Sequence, residues 1–179
     1  LGSEATLSSQ IELEREGHLL FQLGRISEAI EVDRELFRRF ADTERSGTPP
    51  SRFVFRAAWH SIVGGNAEDG ATWLRRALPK YEQDGPEATV RGVTLDLAAG
   101  LVVQARYAEA RSMLRRFEAR LVNGPPRPWQ RVEATRIGVE IALHEGDLAS
   151  LGPASDALEA ALSADKLSHP IALQGYLAA

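Results

Sequence analysis

Apolar residues along this chain fall at steps of three and four, and glycine or proline interrupts them at regular intervals. Such spacing predicts amphipathic helices rather than strands. The first helix is predicted from near Ser9, which Glu12 completes as a capping box, and carries Ile11, Leu13, Leu19, Leu20 and Leu23 up to Gly24. The second carries Ile26, Ala29, Ile30, Leu36, Phe37 and Phe40, before a connector from Asp42 to Ser51 that contains Pro49 and Pro50. A third helix is predicted from about Pro50, with Phe53, Val54, Ala57, Ala58 and Ile62. Its partner runs from Ala67 through Trp73, Leu74, Ala77 and Leu78, and Pro79 is expected to kink it or end it early. Residues 87–104 and 107–122 form the third pair, closed by Gly124 and the prolines after it. The fourth pair starts near Trp129 and turns at Gly146, its second helix expected to become regular only at Pro153. A last helix follows Ser168, His169 and Pro170. No segment alternates apolar and polar with period two, so no sheet is predicted.

The breaks are themselves periodic. Gly24, Gly65, Ala105 and Gly146 each separate two helical patterns, and successive steps between them are 41, 40 and 41 residues. Self-similarity at such a period is the signature of a helical repeat array, in which each hairpin buries its apolar face only by stacking on its neighbours. The expected class is therefore all-α, with repeats at about 9–48, 49–85, 86–125 and 126–167, a terminal helix over 168–179, and residues 1–8 as a tail. The first residues, which lack an initiator Met, read as an expression remnant, and the uncapped stretch after Ile171 as a helix cut from a longer protein.

Composition changes this picture only by exclusion. The 179 residues include 44% hydrophobic and 26% charged side chains, as in folded globular chains, and a net charge of −4 argues against a nucleic-acid surface. Cysteine is absent, which removes disulfides and thiolate metal sites. Lysine occurs only at 80 and 166, so the basic residues are nearly all arginine, as a G+C-rich genome would give. No apolar run reaches the length of a membrane span.

The repeat resembles the tetratricopeptide (TPR) family. Gly17, Leu20, Gly24, Ile26, Glu28, Ala29 and Ile30 carry the resemblance in the first unit. Ala58, Gly65, Asn66, Ala67, Asp69 and Leu74 carry it in the second, and Ala98, Leu101, Tyr107, Glu109, Ala110 and Leu114 in the third. The fourth keeps Gly146, Asp147 and Leu148 but departs from the motif at Leu151, Gly152 and Pro153. The period exceeds the usual ~34 residues. The resemblance implies a right-handed superhelix of about four antiparallel helix pairs, with first helices lining the concave face. Its lengthened repeats are similar to those of bacterial signalling scaffolds and of the sensor regions of ATP-dependent transcription regulators.

Catalytic constellations are missing from the sequence. His18, His60, His144 and His169 show no ligand spacing, no phosphate-binding glycine motif occurs, and no strand is predicted to carry a nucleophile elbow. No enzyme activity, cofactor or metal is expected. Arg75, Arg76, Arg111, Arg115, Arg116 and Arg120 fall on second helices near Glu109 and Glu118, and read as a solvated, ion-paired face. The concave face is the candidate site. It takes His18, Phe21 and Gln22 from the first pair, and Arg52, Phe55, Trp59 and Val63 from the second. Leu95 and Val102 come from the third pair, and Arg136, Glu140 and His144 from the fourth. An apolar strip rimmed by Arg and Glu suits a peptide or a partner protein. The expected function is a cytoplasmic protein-interaction module of a bacterial regulatory or scaffold protein. The alternative is a small-molecule sensor whose inducer fills a pocket near Trp59; self-association into a homo-oligomer stays open, and neither nucleic acid nor membrane is an expected partner.

Overall fold

The computed structural model describes residues 2–42 and 51–164, and among these every regular element is helical. In chain order they are α1 (Gly2–Gln22), α2 (Ile26–Asp42), α3 (Ser51–Val63), α4 (Ala67–Asp84), α5 (Glu87–Val103) and α6 (Tyr107–Ala119). A short 3-10 turn, Arg120–Asn123, leads to α7 (Pro128–Glu145) and α8 (Leu148–Ala164). The chain, expected as a single repeat domain over 9–179, forms two compact units, Leu1–Gly85 and Pro86–Ala179. The connector over 43–50 and the terminal helix expected over 168–179 lie outside the described residues.

Each unit is two hairpins. In the first, α1 packs on α2 and α3 on α4, and α3 also touches both α1 and α2. In the second, α5 packs on α6 and α7 on α8, and α7 touches both α5 and α6. The second hairpin of each unit thus seats its first helix against both helices of the hairpin before it.

The four periodic breaks are one structural device. Gly24, Gly65, Ala105 and Gly146 have φ of 74, 82, 56 and 69°, all in the left-handed region. At each, the following amide reaches back to the carbonyl five residues earlier: Arg25 to Leu20, Asn66 to Ser61, Arg106 to Leu101 and Asp147 to Ala142. This is the Schellman ending, which satisfies carbonyls that a helix terminus otherwise leaves bare. Five residues beyond the break stands a small residue where the two helices of the pair touch: Ala29 and Ala110 are fully buried. A Cβ on Gly70 would meet the Ala58 carbonyl oxygen at 2.7 Å. The fourth hairpin has Leu151 at this register, half-buried, which is where the sequence leaves the motif.

Three helix boundaries differ from the sequence expectation. α1 begins at Gly2 rather than near Ser9, since Glu4, Ala5 and Leu7 sustain a helix and Ser9 lies in its interior. α4 continues through Pro79 to Asp84, and α8 begins at Leu148 and continues through Pro153. Both prolines are exposed, so water can reach the carbonyl each leaves without a donor. In α4 the buried Trp73, Leu74, Ala77, Leu78 and Tyr81 hold the helix on both sides of the proline.

Candidate functional site

The first unit gathers its polar groups where α1, α2 and α3 meet. Asp33 of α2 and His60 of α3 are 3% and 2% exposed, and His60 Nδ1 donates to Asp33 Oδ2 at 2.8 Å. A buried carboxylate and imidazole tolerate removal from water only with such a partner. Gly17 makes room for the pair, because a Cβ there would sit 2.9 Å from Asp33 Oδ1. The Phe21 ring stacks on His60 with centroids 4.1 Å apart, and the His18 ring lies parallel to His60 at 6.3 Å. Arg56 donates to Glu14, tying α3 to α1 a turn further from the break.

His18 accepts a hydrogen bond on Nε2 from the Gln22 amide at 3.0 Å, while its buried Nδ1 has no hydrogen-bond partner. Burial lowers the His18 pKa, and the neighbouring Arg56 and His60 lower it further against the pull of Glu14. The structure therefore brings His18, Phe21 and Gln22 together around His60, which the sequence reading left out of the site.

On α3 itself, Val54, Ala57 and Ala58 are fully buried and Ile62 is 5% exposed. Phe55 and Trp59 are only half-buried and Val63 is 46% exposed, so these three apolar residues form a stripe at one-turn steps along the helix. Arg52 belongs to the first turn of α3, and its side chain lies outside the described residues.

The second unit departs further from expectation. Leu95 is fully buried and Val102 is 7% exposed, so both are core and neither is offered to a partner. α5 is buried on nearly every side from Val90 to Val102, which leaves no preferred face for a helical projection to select. Arg136 is no free rim charge: Glu133 and Glu140 each pair with it at 2.5 Å, and its side chain is 13% exposed. Burial opposes its charge, but the two carboxylates outweigh that and hold its pKa above the ordinary arginine range. His144 is exposed and stacks on Tyr107 of α6 at 4.9 Å, placing it at the hairpin joint with α6 rather than along the face of α7.

Asp96 of α5, absent from the sequence reading, is the unusual group here. Burial pushes its carboxyl up to about 8, the negative Glu133 adds to the effect, and Arg136 opposes it. One signal in the sequence would have found these groups. His18 and His60, Glu14 and Arg56, and Asp96 and Arg136 are each separated by about one repeat, which sets them side by side on neighbouring first helices.

Several of the outer arginines make ion pairs, Arg120 with Glu87 at 3.4 Å among them. Arg34 donates to Asp69 at 2.7 Å, Arg111 pairs with Glu145, and Arg75 lies 3.5 Å from Glu68. Among the described residues no group of three or more His, Asp or Glu is placed to hold a metal ion, and no helix is long and apolar enough to cross a membrane. No protein-family model, curated protein or solved structure matches this chain.

Proposed function

We propose that the chain is a protein-interaction module of stacked TPR-like hairpins, serving a bacterial regulatory or scaffold protein in the cytoplasm. It takes an extended peptide or partner helix on α3 of the first unit. The observation that carries this reading is the stripe of Phe55, Trp59 and Val63, part-exposed on a helix where Val54, Ala57, Ala58 and Ile62 are buried. Aromatic anchors set one turn apart suit the i, i+4 spacing of a helix or the alternate side chains of a strand. In each unit, the packing of a first helix against both helices of the preceding hairpin supports the hairpin-stacking part of the proposal.

The test is a peptide selection against the whole chain, followed by affinity and melting measurements on Trp59→Ala and Phe55→Ala. Truncating a true anchor costs at least about 2 kcal/mol, roughly thirtyfold in affinity, with melting unchanged. If the Trp59→Ala variant instead loses its cooperative melting, the ring is core and the stripe is not the site.

A further inference from the structure

The connector between the 3-10 turn and α7 reads Gly124, Pro125, Pro126, Arg127, Pro128, Trp129. Proline fixes φ near −65°, and a residue that precedes proline is confined to the extended region. Pro125 meets both conditions, and Arg127, which precedes Pro128, has φ −64° and ψ 149°. Those angles put Arg127 in the polyproline II region, and its carbonyl accepts the Gln130 and Arg131 amides of α7. Residues 125–127 belong to no regular element, and Pro125, Arg127 and Pro128 are exposed. Val122 before them is 87% exposed and Trp129 after them 37%.

Both ends of this segment are held from beneath by buried polar side chains. Arg91, 5% exposed, donates from Nη1 to the Gly124 carbonyl at 2.7 Å. Gln130, fully buried, donates to the Ala88 carbonyl at 2.8 Å and accepts the Arg127 amide at 3.0 Å. Helix termination explains only part of this. Gly124 already ends the preceding turn and Pro128 opens α7 as its first residue. Pro125 and Pro126 reinforce that stop, and they also complete a Pro-x-x-Pro spacing from 125 to 128 on a clamped scaffold.

We propose that residues 125–128 are a polyproline ligand, displayed by the second unit for the aromatic-lined groove of a partner protein domain. Such grooves bind Pro-x-x-Pro segments because the ordering cost is already met in the free ligand. Here the folded unit lowers that cost again. Arg127 adds a positive charge between the anchors, so a groove with a carboxylate at its edge fits best. This surface is separate from the α3 stripe and does not depend on it.

The experiment titrates a panel of isolated SH3, WW and EVH1 domains into the whole chain, with amide chemical shifts mapped by NMR. At least one domain is expected to bind, with shifts centred on residues 122–130. Pro125→Ala and Arg127→Glu should each weaken that complex at least tenfold without lowering the melting temperature. Arg127→Glu, at an exposed position, decides the matter if Pro125→Ala loosens the fold. The proposal is overturned if no domain of the panel binds, if shifts centre elsewhere, or if Arg127→Glu leaves the affinity unchanged.

Discussion

The two units bury charge at the same kind of joint in opposite ways. In the first, a carboxylate on α2 and an imidazole on α3 are sealed together, and Glu14 meets Arg56 between α1 and α3. In the second, Asp96 on α5 lies near Arg136 on α7, but the guanidinium is engaged by Glu133 and Glu140 of its own helix. Burial, with the negative Glu133 adding to it against the pull of Arg136, pushes the Asp96 carboxyl up to about 8. A helix interface can thus accommodate an acid by giving it a donor or by keeping it neutral. The first choice makes the interface depend on a partner, the second on pH.

The largest effect that separates the two is expected at Asp33. Removing one member of a buried pair leaves the other without compensation and costs about 3–5 kcal/mol. With two units, a single unfolding free energy is poorly defined, so hydrogen exchange read amide by amide is the suitable measurement. In Asp33→Ala, protection in α1 and α3 should fall by roughly a hundredfold, the equivalent of about 3 kcal/mol. Unchanged exchange there would mean that the pair is a bystander, and the contrast between the units would collapse.

Asp96→Asn should act in the opposite direction. A carboxyl whose pKa rises on folding binds its proton more tightly in the native state. Its contribution is complete below the ordinary value of 3.8 and is lost as pH climbs to about 8. The wild-type second unit should therefore weaken steadily from pH 4 to 8, whereas Asp96→Asn, which mimics the neutral acid, should not. Near neutral pH the variant should be more stable by on the order of 4 kcal/mol, with the difference vanishing near pH 4. Amide exchange in α5 and α7, corrected for its intrinsic pH dependence, checks it across that range; a constant offset, or a loss of stability at pH 7, would show that Asp96 is ionised and satisfied.

What could be read from the sequence divides along the same physical line. The breaks at Gly24, Gly65 and Gly146 were legible because a left-handed residue is a local requirement that glycine meets without steric cost. Ala29 and Ala110 were legible because a small residue at a fixed offset from the break marks helix contact. Pro79 and Pro153 were misread because proline's penalty is local, whereas the helix answers to packing along its whole length. Leu95 and Val102 were misplaced because a helical projection needs one wet side, and α5 has almost none. Asp33 and His60 are 27 residues apart on helices of different hairpins, so no local periodicity joins them. The stripe of Phe55, Trp59 and Val63 was visible because all three lie on one helix at one-turn spacing.

The smallest expected effect concerns the one break that is not glycine. Ala105 holds φ 56° at the turn between α5 and α6, where the first unit has Gly24 and Gly65 at 74 and 82°. For a residue with a Cβ, the left-handed region costs roughly 1–2 kcal/mol. Glycine removes that cost but enlarges the conformational freedom of the unfolded chain, which returns about 0.4–1 kcal/mol. Ala105 is exposed, so its methyl group gives up little packing when it is removed. Ala105→Gly should therefore stabilise the second unit by about 0.5–1 kcal/mol. The mirror change Gly24→Ala should destabilise the first by a similar amount, since a Cβ there meets no atom within 4 Å and only the backbone objects. The pair isolates the turn from everything around it, because neither substitution touches a buried side chain. Opposite shifts in the two units, read by hydrogen exchange in α5 and α6 and in α1 and α2, establish that all four breaks are one device. A destabilising Ala105→Gly would instead mean that the methyl group makes a contact that the left-handed backbone serves.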